Sequence, residues 1–392
     1  IIDPNSRAIS ITGSMIDVTV DGFEITNGDA GAENGGGILV DVDYDSHVVI
    51  RDNFLHHNTA AAGGAIWADL DVRSELEITD NDVMTNTARE GGGIWADVYL
   101  SGTLTLDRND LVSNTATVTD CGAVCATVAY FGSFSVDDNM VRENTASANQ
   151  GGLYFHAEYN THGTFDGNTV VDNRSDGDDG GAKVELDDHA TTTFNDNVFR
   201  GNGAGSSNGG LHLNLDQNGR AVGDRLTLVD NTAGGDNGGA QVTLDEGCAF
   251  TMTESISVTR NLAGSAHGGI FIRAGYSRSS TPNMFVFNNR ALNGSGGGFY
   301  FSTGDAGGIF HAPNATVISN TSSSDGGGGY VSVDDGSFAD LSGSRFERNH
   351  SGGFGGGLRN PTHNEGTTLL LNHTRFLSNT ALNFDGALSM HR

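Results

Sequence analysis

Apolar and polar residues alternate along this chain in short bursts. Between Ser74 and Asp97 every second residue of a first run is apolar (Leu76, Ile78). A bend follows at Asp80-Asn81, then a brief apolar run (Val83, Met84), Asn86 and a turn of small residues. Gly91-Gly92-Gly93 then leads into a new alternating run from Ile94. Alternation with period 2 puts one side of an extended strand in a core and the other in solvent, and it fits no amphipathic helix. The stretch predicts three short strands and three bends.

The same pattern recurs along the whole sequence. An asparagine returns every 28 to 31 residues, at Asn27, Asn58, Asn86, Asn114, Asn144, Asn173, Asn202, Asn231, Asn261, Asn289, Asn320, Asn349 and Asn379, and a Gly-Gly pair or close variant follows nearly every one. A fixed period of this size marks a repeat architecture, in which each unit buries its apolar face against its neighbours. With 58 glycines, 4 prolines and no helix-length pattern in 392 residues, the expectation is an all-β chain. It should form a right-handed parallel β-helix, a solenoid of about 13 coils with three short strands each, as a single domain over residues 1–392.

The asparagines then have a physical task. Stacked coils repeat the same bend about 4.8 Å apart, and a side-chain amide both donates and accepts along such a stack. Asparagine also tolerates left-handed backbone angles. A partial second ladder precedes the first by five residues at Asn53, Asn81, Asn109, Asn139, Asn168 and Asn197, then fades. The Gly-Gly pairs mark a corner where the backbone needs positive φ or approaches the next coil too closely for a Cβ.

The residues that carry this pattern also carry a resemblance. Val83-x-x-Asn86, Phe199-x-x-Asn202, Phe346-x-x-Asn349 and Phe376-x-x-Asn379, paired with Gly63-Gly64-Ala65-Ile66 and Gly91-Gly92-Gly93-Ile94, resemble the FxxN and GGA(I/L/V) repeats of polymorphic outer-membrane proteins. The resemblance covers nearly the whole chain and implies a β-helical solenoid of the kind found in many large bacterial and archaeal surface proteins, and a fold of that kind does not fix the function. Gly180-Gly181-Ala182-Lys183 and Gly238-Gly239-Ala240-Gln241 depart from the motif by placing polar residues at an apolar position. Autotransport through a carboxy-terminal membrane barrel is not implied.

Charge narrows the partners. The formal net charge is -29, and Lys183 is the sole lysine. Such a surface repels nucleic acid and anionic lipid, and no run of 18 apolar residues predicts direct membrane insertion. The expected address is extracellular or cell-surface. The expected partners are further copies of the chain, other domains of the same polypeptide, or a polysaccharide or cell surface. Strand patterns already run at Ile9 and Ile11 and still run at Leu388, which suggests a segment of a longer chain or an assembly unit whose end coils are covered by neighbours. Clustered aspartates are hard oxygen ligands suited to calcium, and the densest turn holds Asp176, Asp178 and Asp179. Cys121 and Cys125 could close a small disulfide, but an extended segment would hold their Cα atoms beyond bridging distance, so they read first as small core or corner residues. Cys248, four coils on, is too far to pair with either.

Candidate binding chemistry falls on the strand after the Gly-Gly corner. Under the most even register its outward positions include Trp67, Trp95, Tyr154, His156, Lys183, Glu185, His212, Phe271, Arg273, Tyr300 and Tyr330, while a one-residue slip between copies would turn some of them inward and make Trp67 and Trp95 core residues. Aromatic faces beside acids suit a carbohydrate, since sugar rings stack on aromatic faces. A polysaccharide lyase or hydrolase working on this strip is the alternative to a non-enzymatic spacer, adhesin or assembly subunit. In that alternative Lys183 acts as base or charge clamp, with Glu185, His156 and His212 beside it. The Asn-Thr-Asp, Asp-Asp, Gly-His-Gly and Arg-x-Lys set of polygalacturonases is absent, and Thr161-His162-Gly163 and Ala266-His267-Gly268 match one element only in part. Turns of uniform length favour the structural role, because an enzyme needs loops that wall a groove.

Overall fold

The computed structural model describes residues 6–304, 307–334, 336–361 and 366–390. Its contacts group into two compact units, Ile1–Thr193 and Phe194–Arg392. Both are parallel β-solenoids, about 13 turns in all, with no helix among the described residues.

In the first unit the strand after each Gly-Gly corner pairs in parallel with its counterpart in the next coil. Ile38–Asp43, Ile66–Leu70, Ile94–Val98, Val124–Ala129, Leu153–Glu158 and Ala182–Leu186 follow one another in register. We call this surface face A. The two runs read as separate strands, Glu75–Thr79 and Asp82–Met84, lie in one sheet bent between them. The third sheet comes from residues read as a small-residue turn: Thr87–Glu90, Thr115–Ala116 and Thr145–Ala146 pair in register. Each coil thus has three sheets, closing on a core of Leu76, Ile78, Val83, Ala88, Ile94, Ala96 and Val98, all buried.

The ladder is real, and its bonding is complete. Asn86 Nδ2 donates to the Leu55 carbonyl at 2.9 Å and to Asn114 Oδ1 at 3.0 Å. Asn86 Oδ1 accepts from the backbone N–H and Nδ2 of Asn58, both at 3.0 Å. Every hydrogen-bonding position of a buried amide is therefore used, which removes the cost of burying it. Two expectations need correction. Asn27 stands outside the ladder: it is exposed, and Gly28 holds the register position, its N–H donating to Asn58 Oδ1 at 2.9 Å. The left-handed residue is also not the asparagine but the one before it, as at His57, Thr85, Ser113 and Glu143. The asparagine serves through its amide alone.

The second ladder runs through Asn53, Asn81, Asn109 and Asn139 with the same pattern of bonds. Its fading has a structural counterpart in the second unit. Asn197 pairs in register with Leu226, and Leu226 with Ile256, so core side chains occupy the ladder position. Without the asparagine bend the two short strands fuse into Arg220–Val229 and Ala249–Thr259. The main ladder continues there through Asn202, Asn231, Asn261, Asn289, Asn320 and Asn349.

The Gly-Gly corner divides its labour. Its left-handed position is filled by Gly63 and Gly91 but also by Gln150, Asp179 and Asn208. The next position requires glycine for space: a Cβ on Gly92 would lie 2.5 Å from the Gly122 carbonyl oxygen.

Candidate functional site

Strand pairing in register turns every outward position of face A into a column. In the first unit one column reads Leu39, Trp67, Trp95, Cys125, Tyr154, Lys183, and the column beside it reads Asp41, Asp69, Asp97, Thr127, His156, Glu185. Both tryptophans point outward, because the residues flanking them, Ile66, Ala68, Ile94 and Ala96, are buried in the core. Both are half-buried. The Trp95 indole lies against the corner, where a Cβ on Gly91 would stand 3.2 Å from its Cε3, and its Nε1–H donates to Asp97 Oδ2 at 2.7 Å.

Four of the predicted residues meet further along. Tyr154 donates its hydroxyl to Glu185 Oε2 at 2.6 Å, and Lys183 Nζ sits 2.8 Å from Glu185 Oε1. The lysine also lies 5.7 Å from the centre of the Tyr154 ring, a cation–π contact. His156 Nε2 is 3.1 Å from Asp187 Oδ2. Burial works against ionised Glu185, but hydrogen bonds from Lys183 and Tyr154 outweigh it and hold the carboxyl below its ordinary value. Burial, then the bond to Glu185, pushes the Tyr154 phenol well up. Burial opposes a charged His156, yet Asp187 prevails and raises it. Lys183 is thus engaged as the cation of an ion pair.

The aspartate column is the reverse case. Burial, followed by repulsion from Asp97, Asp71, Asp41 and Asp43, pushes Asp69 up to about 6. Asp97 is raised by burial against the opposing bonds from Trp95 and Thr127.

Between Trp95 and Tyr154 lies a cleft of about 300 Å³, lined on one side by the corner residues Glu90, Asp120, Asn149 and Gln150 and floored by Cys121 and Cys125. These cysteines form a disulfide, contrary to the expectation from sequence, with Cα atoms 5.5 Å apart. The expectation assumed an extended segment. Cys121 instead occupies the left-handed corner position, φ 65°, and the turn brings it back beside Cys125. Cys248 is free and buried, and burial pushes its thiol up to about 11.

In the turn proposed for calcium, two carboxylates have protein partners. Asp176 is exposed and 3.9 Å from Arg174. Asp179 is buried, and its Oδ2 accepts from Gln150 Nε2 at 3.0 Å. Among the described residues the ligand atoms that do converge, within 4.8 Å of one another, belong to His47, Glu75 and Glu77. His47 sits 3.1 Å from Glu77 and 3.4 Å from Asp17. Sequence spacing hid this group because its members meet only when coils stack.

His212 and Tyr300 belong to the second unit, on its own outward column with Phe271 and Tyr330. Tyr300 stacks on Tyr330, ring centres 4.4 Å apart. His267 fills a corner's left-handed position, stacked on Phe271 at 4.5 Å, and burial drives it down to about 4. His162 is exposed on a short strand. The chain matches no protein-family model and no curated protein sequence.

Proposed function

We propose that the chain is a non-enzymatic structural protein of the cell exterior, a β-solenoid serving as spacer, adhesin or assembly subunit, of the kind built from polymorphic outer-membrane protein repeats. One observation carries the reading: most of the ionic and amide chemistry is spent between successive coils. The amide ladders do this inside. Outside, Arg73 pairs with Asp45 at 2.8 Å, Arg108 with Asp80 at 2.7 Å and Arg260 with Asp230 at 2.7 Å, each across one coil step. Lys183 and Glu185, the best base and acid for a lyase, are bonded to one another. The excess of carboxylates supplies ligands by which divalent cations bridge copies.

The test is electron microscopy of natively purified protein, with and without chelator, beside an assay for sugar released from a polysaccharide panel. Copies joined end to end or side by side, separating on chelation, are expected. Single particles under both conditions, together with released reducing or unsaturated sugar, would replace this reading with a carbohydrate-active lyase or hydrolase.

A further inference from the structure

The cleft on face A exists because one column skips a large side chain. Trp67, Trp95 and Tyr154 fill successive positions except at Cys125, which the disulfide draws back toward the corner. Aromatic rings one coil apart have no room between them: Tyr130 and Tyr159 stack at 4.6 Å with planes 6° apart. Trp95 and Tyr154 are two coils apart, so their backbone positions are about 9.6 Å apart along the stack. A ring in van der Waals contact with both faces needs about 7–8 Å. The gap therefore admits one saturated or planar six-membered ring, and the cleft's volume of about 300 Å³ accommodates it.

The surrounding groups select among such rings. Asp97, Thr127, Asn149 and Gln150 line the cleft with oxygens and amides, the groups that bind hydroxyls. Each also bonds inside the protein: Trp95 and Thr127 to Asp97, the Asp178 N–H to Asn149, and Gln150 to Asp179. Asn149 is steadied by two bonds to Asp120 Oδ1, at 2.9 and 3.2 Å. The lining carries three carboxylates, Glu90, Asp97 and Asp120, against Lys183, which Glu185 already pairs. A ligand carboxylate meets repulsion here, and an ammonium meets attraction.

We propose that this cleft is a subsite for one pyranose ring, stacked between Trp95 and Tyr154, of a saccharide without carboxylates, an amino sugar above all. It goes beyond the structural role and stands independently of it, since a spacer that fails to assemble still has the cleft.

Isothermal titration calorimetry on the full chain with glucosamine, glucose and galacturonate trisaccharides tests it. The glucosamine trisaccharide should bind tightest, and the galacturonate trisaccharide at least about tenfold more weakly. Tyr154→Ala should weaken the glucosamine trisaccharide about tenfold through loss of one stacking face. A filled variant, Cys121→Gly with Cys125→Trp, copies the Gly91 and Trp95 arrangement of the preceding coil and should abolish binding with the coil intact by circular dichroism. Absence of heat with both glucosamine and glucose, equal binding of galacturonate, or full binding by the filled variant would each overturn the proposal.

Discussion

Asn114 is buried completely, donates to the Val83 carbonyl and Asn144 Oδ1, and accepts from both nitrogens of Asn86. Replacing it with alanine strips partners from two buried donors and a buried carbonyl at once. Asn114→Ala should cost roughly 3–5 kcal/mol, seen as a lower urea midpoint and faster amide exchange around residues 83–86. Asn27→Ala, outside the ladder and exposed, should stay within about 0.5 kcal/mol. Equal effects of the two would refute the assignment. Asp69 makes the opposite kind of contribution. It keeps its proton in the folded chain up to about pH 6, while in the unfolded chain it ionises near 3.8. Between those values the unfolded chain binds fewer protons, so stability falls as pH rises through the window and then levels off. Asp69→Asn should therefore raise stability at pH 7 by on the order of 1 kcal/mol, discounted for partial solvent exposure, and change little at pH 3.5. Urea titrations at the two pH values decide it. Of these two roles the ladder was legible in the sequence, because its signal is a period. The shift at Asp69 was not, because its causes lie on neighbouring coils.

A coil's elements are set as much by what a corner excludes as by what a strand prefers. Gly92 lies under the Gly122 carbonyl and beside the Thr115 backbone, both 2.5 Å from where a Cβ would be. Backbone of a paired strand cannot step aside, so Gly92→Ala should cost about 3 kcal/mol or more. Gly91→Asn should cost less, since asparagine tolerates the left-handed angle it would adopt and the nearest atom to its Cβ, Trp95 Cε3 at 3.2 Å, belongs to a side chain that can shift. Thermal denaturation of the two variants tests this ordering, and a larger loss at 91 would reverse the division of labour. The Gly-Gly signal was visible in sequence, whereas the different jobs of its two members were not. The same blindness ranked the disulfide second, because a cysteine at a left-handed corner looks like any other in an extended run. The fused strands Arg220–Val229 and Ala249–Thr259 follow the same logic in reverse: Leu226 and Ile256 read as ordinary apolar residues until they are seen to stand where an asparagine bend would be.

For the molecule as a whole, the class of fold was written in the period, while alternation left open which way Trp67 and Trp95 point until the pairing register was known. Which residues meet was not legible, since that depends on stacking: Tyr154, Lys183 and Glu185 come together on face A, and His47, Glu75 and Glu77 converge unannounced on another sheet. The sameness of the ladder has one more consequence. Asn58 bonds Asn86 through the same atoms, at the same 3.0 Å, as Asn86 bonds Asn114, and each step is 28 residues. A chain lacking residues 59–86 would bring Asn58 beneath Asn114 with every donor and acceptor matched. Misaligned recombination between such repeats then adds or removes whole coils without exposing a broken seam, so the reach of the protein is a quantity its gene can change in single steps.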